Sequence, residues 1–157
     1  MNSKILEENI DKSIKPCDSL LDVYRELKDN YFGNFYNVIP ICMALGWKKN
    51  KKIEPKSMRS DGVKISIIYQ NVPYFKYLIY GLAMNDMKDI SGLSNDTKDQ
   101  DERIRIAQLY LNGGLSYIQS IMNAEINIDV NSIRDFLIRE LMSSEGKKGI
   151  LDELRSL

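Results

Sequence analysis

Histidine is absent from all 157 residues. That excludes an imidazole general base, Ser-His or Cys-His activation of a nucleophile, and histidine metal ligands. Any catalysis would fall to carboxylates, lysine or tyrosine. Cysteine is scarce: Cys17 and Cys42 stand 25 positions apart, with neither a CxxC nor a zinc-ligand spacing. Each lies among apolar residues, so buried free thiols are expected. No apolar run approaches the roughly 18–20 residues that span a bilayer. The opening "MNSKILEENIDKSIK" alternates charge with aliphatics and lacks the apolar block and cleavage site of a signal peptide. A cytoplasmic protein without membrane contact is the expectation. The phosphate-binding and nucleophile patterns GxxxxGK[ST], GxGxxG and GxSxG do not occur, so no cofactor is expected.

What is present fits one mainly α domain over residues 1–157, of about six helices, with N-terminal helices in 1–31, a core over 34–122 and C-terminal helices in 131–157. Hydrophobic residues make up 43% of the chain, enough for a real core. Ile5, Leu6, Ile10 and Ile14 predict a short helix over 3–14, closed by Pro16. Asp18 predicts an N-cap for a second helix near 18–31 carrying Leu20, Val23, Tyr24 and Leu27. "NFYNVIPICMALGW" is apolar almost throughout and predicts a central helix capped by Asn34, with Gly46 as its stop. A loop follows over 47–62. "VKISIIYQ", 63–70, is rich in β-branched residues and predicts a short strand or extended chain without an evident partner. Asn71 and Pro73 predict the start of a helix bearing Phe75, Leu78, Ile79 and Leu82.

After a polar connection over 89–102 the periodicity is clear. Ile104, Leu111 and Ile118 recur every seven residues, as do Ala107, Gly114 and Ile121. The phase passes through Gly113 and Gly114 without a break. Each glycine costs about 0.8–1 kcal/mol in a helix relative to alanine, so the pair predicts close packing by a neighbouring element in preference to a joint between helices. Ile133, Phe136, Leu137, Leu141 and Met142 predict a further helix, with "ILDELRSL" as a last short one that suits docking onto a partner.

Formal charge is zero, 22 cations against 22 anions, but residues 48–64 hold seven cations and two acids. Trp47, the lone tryptophan, opens this segment, and Lys48, Lys49, Lys51, Lys52, Lys56 and Arg59 follow it. These residues are the candidate contact for a partner or for phosphates, and such a contact with DNA would be salt-sensitive. A lysine-rich exit from a helix C-terminus is also what a solvated loop looks like, and the lack of a recognition helix or stacking module beside it favours that reading. Glu54 and Lys56 form the Glu-x-Lys pair that metal-dependent nucleases carry on a strand. Pro55 between them removes a ladder donor and argues against such a strand. Asp96, Asp99, Asp101 and Glu102 lack the sixth-position glycine and distant glutamate of a calcium loop, and suit a helix N-terminus. Catalytic, cofactor and metal residues are therefore expected to be absent.

Three stretches in order, "FYNVIPICMALGWKKNKKIEP", "VKISIIYQNVPYFKYLIYGLAMND" and "RIRIAQLYLNGGLSYIQSIM", resemble small accessory proteins encoded beside bacterial DNA-phosphorothioation and related anti-phage defence operons. The likeness covers about residues 33–122. It implies a defence-associated, non-catalytic subunit. The absent catalytic constellation, the helical apolar stripes and the apolar C-terminal helix predict that this subunit docks on a larger ATPase or nuclease of the same operon, with nucleic acid reached through the complex. The resemblance supplies no active-site residues.

Overall fold

A computed structural model describes residues 7–60 and 62–124, with Asp135 and Arg139 beyond them. Among these residues the chain forms five α-helices and one two-stranded antiparallel sheet. The elements are β1 (Ser13–Ile14), α1 (Leu21–Leu27), α2 (Phe35–Lys48), β2 (Val63–Lys64), α3 (Ile65–Asn71), α4 (Phe75–Met87) and α5 (Thr97–Ala124). Single turns of tighter or wider helix flank α1 at Asp18–Leu20 and Lys28–Phe32, and another lies at Ile90–Leu93. The expected C-terminal helices over 131–157 lie outside the described residues.

The centre is an antiparallel pair, α2 on α5. At about 1.5 Å per residue, the 28 residues of α5 make the longest rod in the fold. Val38, Ile39, Cys42, Met43 and Leu45 are buried on α2, and Ile106, Ala107, Leu111, Leu115 and Ile118 on α5. Glycines set their spacing. A Cβ at Gly46 would lie 2.1 Å from the Tyr110 carbonyl oxygen, and one at Gly114 would lie 1.9 Å from that of Cys42. The backbones touch, which only glycine permits. α5 runs through Gly113 and Gly114 as one helix.

Around this pair the remaining elements pack their apolar sides: Val23, Tyr24 and Leu27 from α1, Ile65 and Ile68 from α3, Phe75, Ile79, Leu82 and Ala83 from α4. Tyr24 stacks on Phe35 with ring centroids 4.3 Å apart. Both cysteines are buried and free, and burial pushes the Cys42 thiol up, away from thiolate chemistry.

Several boundaries differ from expectation. In the predicted N-terminal helix, residues 7–14 are turn and strand. Ser13 and Ile14 pair with Lys64 and Val63, and the N–H groups of Ile65 and Ser66 donate to the carbonyls of Lys12 and Ile10 at 2.9 Å. The far face of this strap is held by side chains of α5. Gln100, Gln108 and Asn112 accept the backbone N–H groups of Asn9, Lys15 and Cys17 at 2.9, 3.2 and 2.9 Å. With these donors satisfied from outside, a short helix that is marginal on its own has nothing to gain.

The expected strand over 63–70 shrinks to two residues, and Ile65–Asn71 is helical. Ile65 and Ile68 are buried at helical spacing, so tertiary burial overrides a β-branched preference of a few tenths of a kcal/mol. Gly46 does not stop α2, which ends at Lys48. The reversal falls at Asn50, with φ of 48°, a residue that tolerates left-handed backbone. α4 begins at Phe75, two residues after Pro73. Asn34 is the N-cap of α2 by backbone geometry alone, without a side-chain bond. Asp18 does not cap its own helix either. Its carboxylate accepts from the Ser57 hydroxyl at 2.8 Å and the Arg59 N–H at 2.9 Å.

Candidate functional site

The basic segment is bound more closely to the fold than its composition suggests. After the turn at Asn50 the chain folds back along α5. Lys51 donates its N–H to the Gly46 carbonyl at 2.8 Å, and Ile53 donates to the Leu109 carbonyl at 3.1 Å. Gly113 makes room for this strap, since a Cβ there would lie 1.7 Å from the Lys51 carbonyl oxygen. The Cys17 thiol donates to the Glu54 carbonyl at 3.5 Å, and Asp18 holds the loop at Ser57 and Arg59. Residues 49–60 carry no regular secondary structure, yet their backbone is anchored at both ends.

Some of these cations meet acids among the described residues. Lys52 contacts Asp86 at 2.9 Å, Arg59 contacts Asp18 at 3.7 Å and Lys64 contacts Asp11 at 3.6 Å. The Lys49 ammonium stands 4.9 Å from the centre of the Tyr117 ring. Lys51 and Lys56 are left without an ion pair among the described residues. Trp47, in the last turn of α2, is 53% exposed. Trp47, Lys48, Lys49 and Lys51 therefore gather at one end of the α2–α5 pair. Lys52 points along α5 to Asp86, and Lys56 and Arg59 lie further round the loop near Asp18.

Lys52 leads into a charged pocket of about 300 Å³ lined by Glu54, Asp86, Glu102, Arg105, Ile106 and Leu109 among others. Its ions are mutually satisfied. The Tyr110 hydroxyl and Lys52 both donate to Asp86. Arg105 bridges Glu54 at 3.3 Å and Glu102 at 3.2 Å. Burial is the largest influence on Asp86 and pushes its pKa up, but the bonds from Tyr110 and Lys52 outweigh it and hold the carboxyl below its ordinary value. Burial and the bond to Asp86 push the Tyr110 phenol well above its usual range. The Arg59 N–H, then the Ser57 hydroxyl, hold Asp18 low. Such an arrangement clamps the loop onto α4 and α5.

The Glu-x-Lys pair does not sit as a nuclease pair would. Residues 53–56 form no strand, and Glu54 is engaged by Arg105. Among the described residues no group of three acids or cysteines is disposed to hold a metal ion. Asp99 lies in the first turn of α5, where acids favour the helix dipole.

Sequence reasoning missed a buried polar cluster that organises the N-terminal half of α5. Arg103 is 2% exposed. Its guanidinium donates to the carbonyls of Gly92 at 3.0 Å and Ser94 at 2.7 Å and to Asn95 Oδ1 at 3.1 Å. It lies 3.8 Å from Glu8 and 4.1 Å from the centre of the Tyr80 ring. Glu8 accepts in turn from the Tyr69 hydroxyl at 2.7 Å. Burial, then that bond, pushes the Tyr69 phenol far up. The available signal was heptad spacing: Arg103 precedes Tyr110 by seven residues and shares its side of α5.

No described helix is long and apolar enough to cross a membrane. Neither the curated proteins nor the solved structures contain a match to the chain. The family model described as DNA sulphur modification system-associated protein 4 matches residues 14–155, and the chain belongs to that family.

Proposed function

We propose that this chain is a non-catalytic accessory subunit of a bacterial anti-phage defence complex built on DNA sulphur modification, and that it docks on a larger ATPase or nuclease component. Family membership supports the setting. The observation that carries the docking is Trp47: a half-exposed tryptophan at the rigid end of a glycine-tight helix pair, among Lys48, Lys49 and Lys51. Tryptophan is the residue most enriched at interface hot spots, where an apolar face and an N–H donor both find partners. The surrounding lysines suit an acidic rim on the partner. The charged pocket serves this role by fixing the loop.

Direct contact with DNA phosphates through Lys51 and Lys56 is the second reading, favoured by their having no ion pair among the described residues. It is weaker because Lys52, Arg59 and Lys64 are engaged by acids, and few phosphate contacts remain to supply affinity. Co-expression with the other proteins of the modification system, followed by purification on a tag carried by this chain, tests the proposal. A stoichiometric ATPase or nuclease component is expected to co-purify. Recovery of the chain alone, with DNA binding that weakens steeply with salt, would favour the second reading instead.

A further inference from the structure

A cavity of about 210 Å³ lies between α1, the first turn of α2 and the chain that leads into β2. Its apolar wall is Leu21, Val63 and the stacked rings of Tyr24 and Phe35. Arg25 and Ser60 stand beside them. The wall is fixed by the fold. Val63 pairs with Ile14 in the sheet. Gly62, with φ of 73°, lies so close to the N-terminal strap that a Cβ there would be 2.8 Å from the Ile14 carbonyl oxygen. A cavity held in this way is formed before any ligand arrives.

Two hydroxyls single it out. Among the described residues, three buried side-chain atoms lack a hydrogen-bond partner: Tyr24 Oη, Ser60 Oγ and Asn112 Nδ2. Two of the three belong to residues of this one cavity. Folded proteins leave few such atoms unpaired, and each asks for a reason. Tyr24 is 3% exposed. Burial, then the nearby Cys42, pushes its phenol far up, so the hydroxyl keeps its proton and can donate. Arg25 is exposed, and its guanidinium makes no ion pair among the described residues. Lys28, one turn on, is already engaged by Asp29 at 2.9 Å and by the Phe35 ring.

We propose that this cavity binds a small aromatic carboxylate, with its carboxylate on Arg25, its ring against the apolar wall, and a polar ring substituent bonded to the hydroxyls of Tyr24 and Ser60. The planar fork of arginine matches a carboxylate in two parallel hydrogen bonds. Stacked aromatic and branched aliphatic side chains suit a flat ring. A phenolic oxygen on that ring accepts from one hydroxyl and donates to the other, which satisfies both buried groups. The volume falls below the roughly 300–1,000 Å³ of sites for drug-sized ligands, so the ligand is held to about ten non-hydrogen atoms. 4-Hydroxybenzoate has this size and all three features. Recognition alone is required, with no chemical step, and the site is independent of the docking role of Trp47.

Amide-resolved NMR of the full chain, titrated with 4-hydroxybenzoate, tests the proposal. Saturable shifts are expected at Leu21, Arg25 and Val63, with a Kd of about a millimolar or tighter. Phenol, which lacks the carboxylate, and benzoate, which lacks the hydroxyl, are each expected to bind about fivefold more weakly or worse. Arg25→Ala should weaken 4-hydroxybenzoate about tenfold. Ser60→Ala and Tyr24→Phe should weaken it several-fold while the thermal midpoint of the free chain stays near that of the wild type, because neither hydroxyl has a partner to lose. Absence of saturable shifts well above a millimolar, the result expected if another part of the chain or a protein partner fills the cavity, overturns the proposal. So does equal affinity of Arg25→Ala and wild type, or equal affinity for benzoate and 4-hydroxybenzoate.

Discussion

At the scale of single residues, the glycines of this protein act by what they leave out. Gly114 lies where any side chain would strike the carbonyl of Cys42, with an ideal Cβ 1.9 Å away. Replacing it by alanine gains about 1 kcal/mol of helix propensity but forces α2 and α5 apart, and overpacking costs about 1–3 kcal/mol or more. Gly114→Ala is therefore expected to lower the urea midpoint, opposite in sign to Gly81→Ala on α4, where a Cβ would meet nothing within 4 Å among the described residues. Equal stabilisation of both variants would show that the backbones of α2 and α5 are not in contact.

A second residue-scale consequence concerns acid. Asp86 and Asp18 are both held below their ordinary value of 3.8 in the folded chain. A carboxyl whose folded pKa is depressed stabilises the fold fully above its unfolded value, and that contribution is lost as pH falls through the folded value. Urea unfolding as a function of pH should show stability declining below about pH 4. Asp86→Asn, less stable at neutral pH, should lose less on acidification because one of the titrating groups is gone. A decline as steep as the wild type's would place the acid sensitivity elsewhere.

At the scale of elements, the rods were legible and the straps were not. α2 could be read from its apolar circumference, and α5 from a heptad phase that two glycines do not interrupt. The N-terminal segment misleads because Ile10 and Ile14 fit a helix locally, while the acceptor for the Asn9 N–H is Gln100, 91 positions away. Ile65–Asn71 misleads in the other direction. Its β-branched residues suggest a strand, yet burying Ile65 and Ile68 together requires a helical turn. Likewise Trp47 and the lysines are visible as a charge run, but which cations are clamped depends on Asp86, Asp18 and Asp11, which no local pattern connects to them. The strap itself is testable. Gln108→Ala removes the acceptor of the Lys15 N–H and is expected to cost about 1 kcal/mol. Hydrogen exchange should accelerate at Lys15 and its neighbours while the middle of α5 stays protected. Unchanged exchange along the strap would mean that β2 alone holds it.

At the scale of the whole molecule, the described residues form a rigid α2–α5 axis with a half-exposed tryptophan among cations at one end. The buried polar residues, Arg103, Gln100, Gln108 and Asn112, are spent on holding turns and straps in place. The charged pocket is closed by its own ion pairs. Such a build suits the docking role proposed above for a member of a family associated with DNA sulphur modification. The most direct measurement is the affinity of the purified chain for the ATPase or nuclease component recovered with it, compared between wild type and Trp47→Ala. Removing an interface tryptophan typically costs about 2 kcal/mol or more, so binding is expected to weaken by about tenfold or more, with the thermal midpoint unchanged because Trp47 packs little in the free chain. Failure of any component of the system to bind, or equal affinity of Trp47→Ala and wild type, would contradict the account.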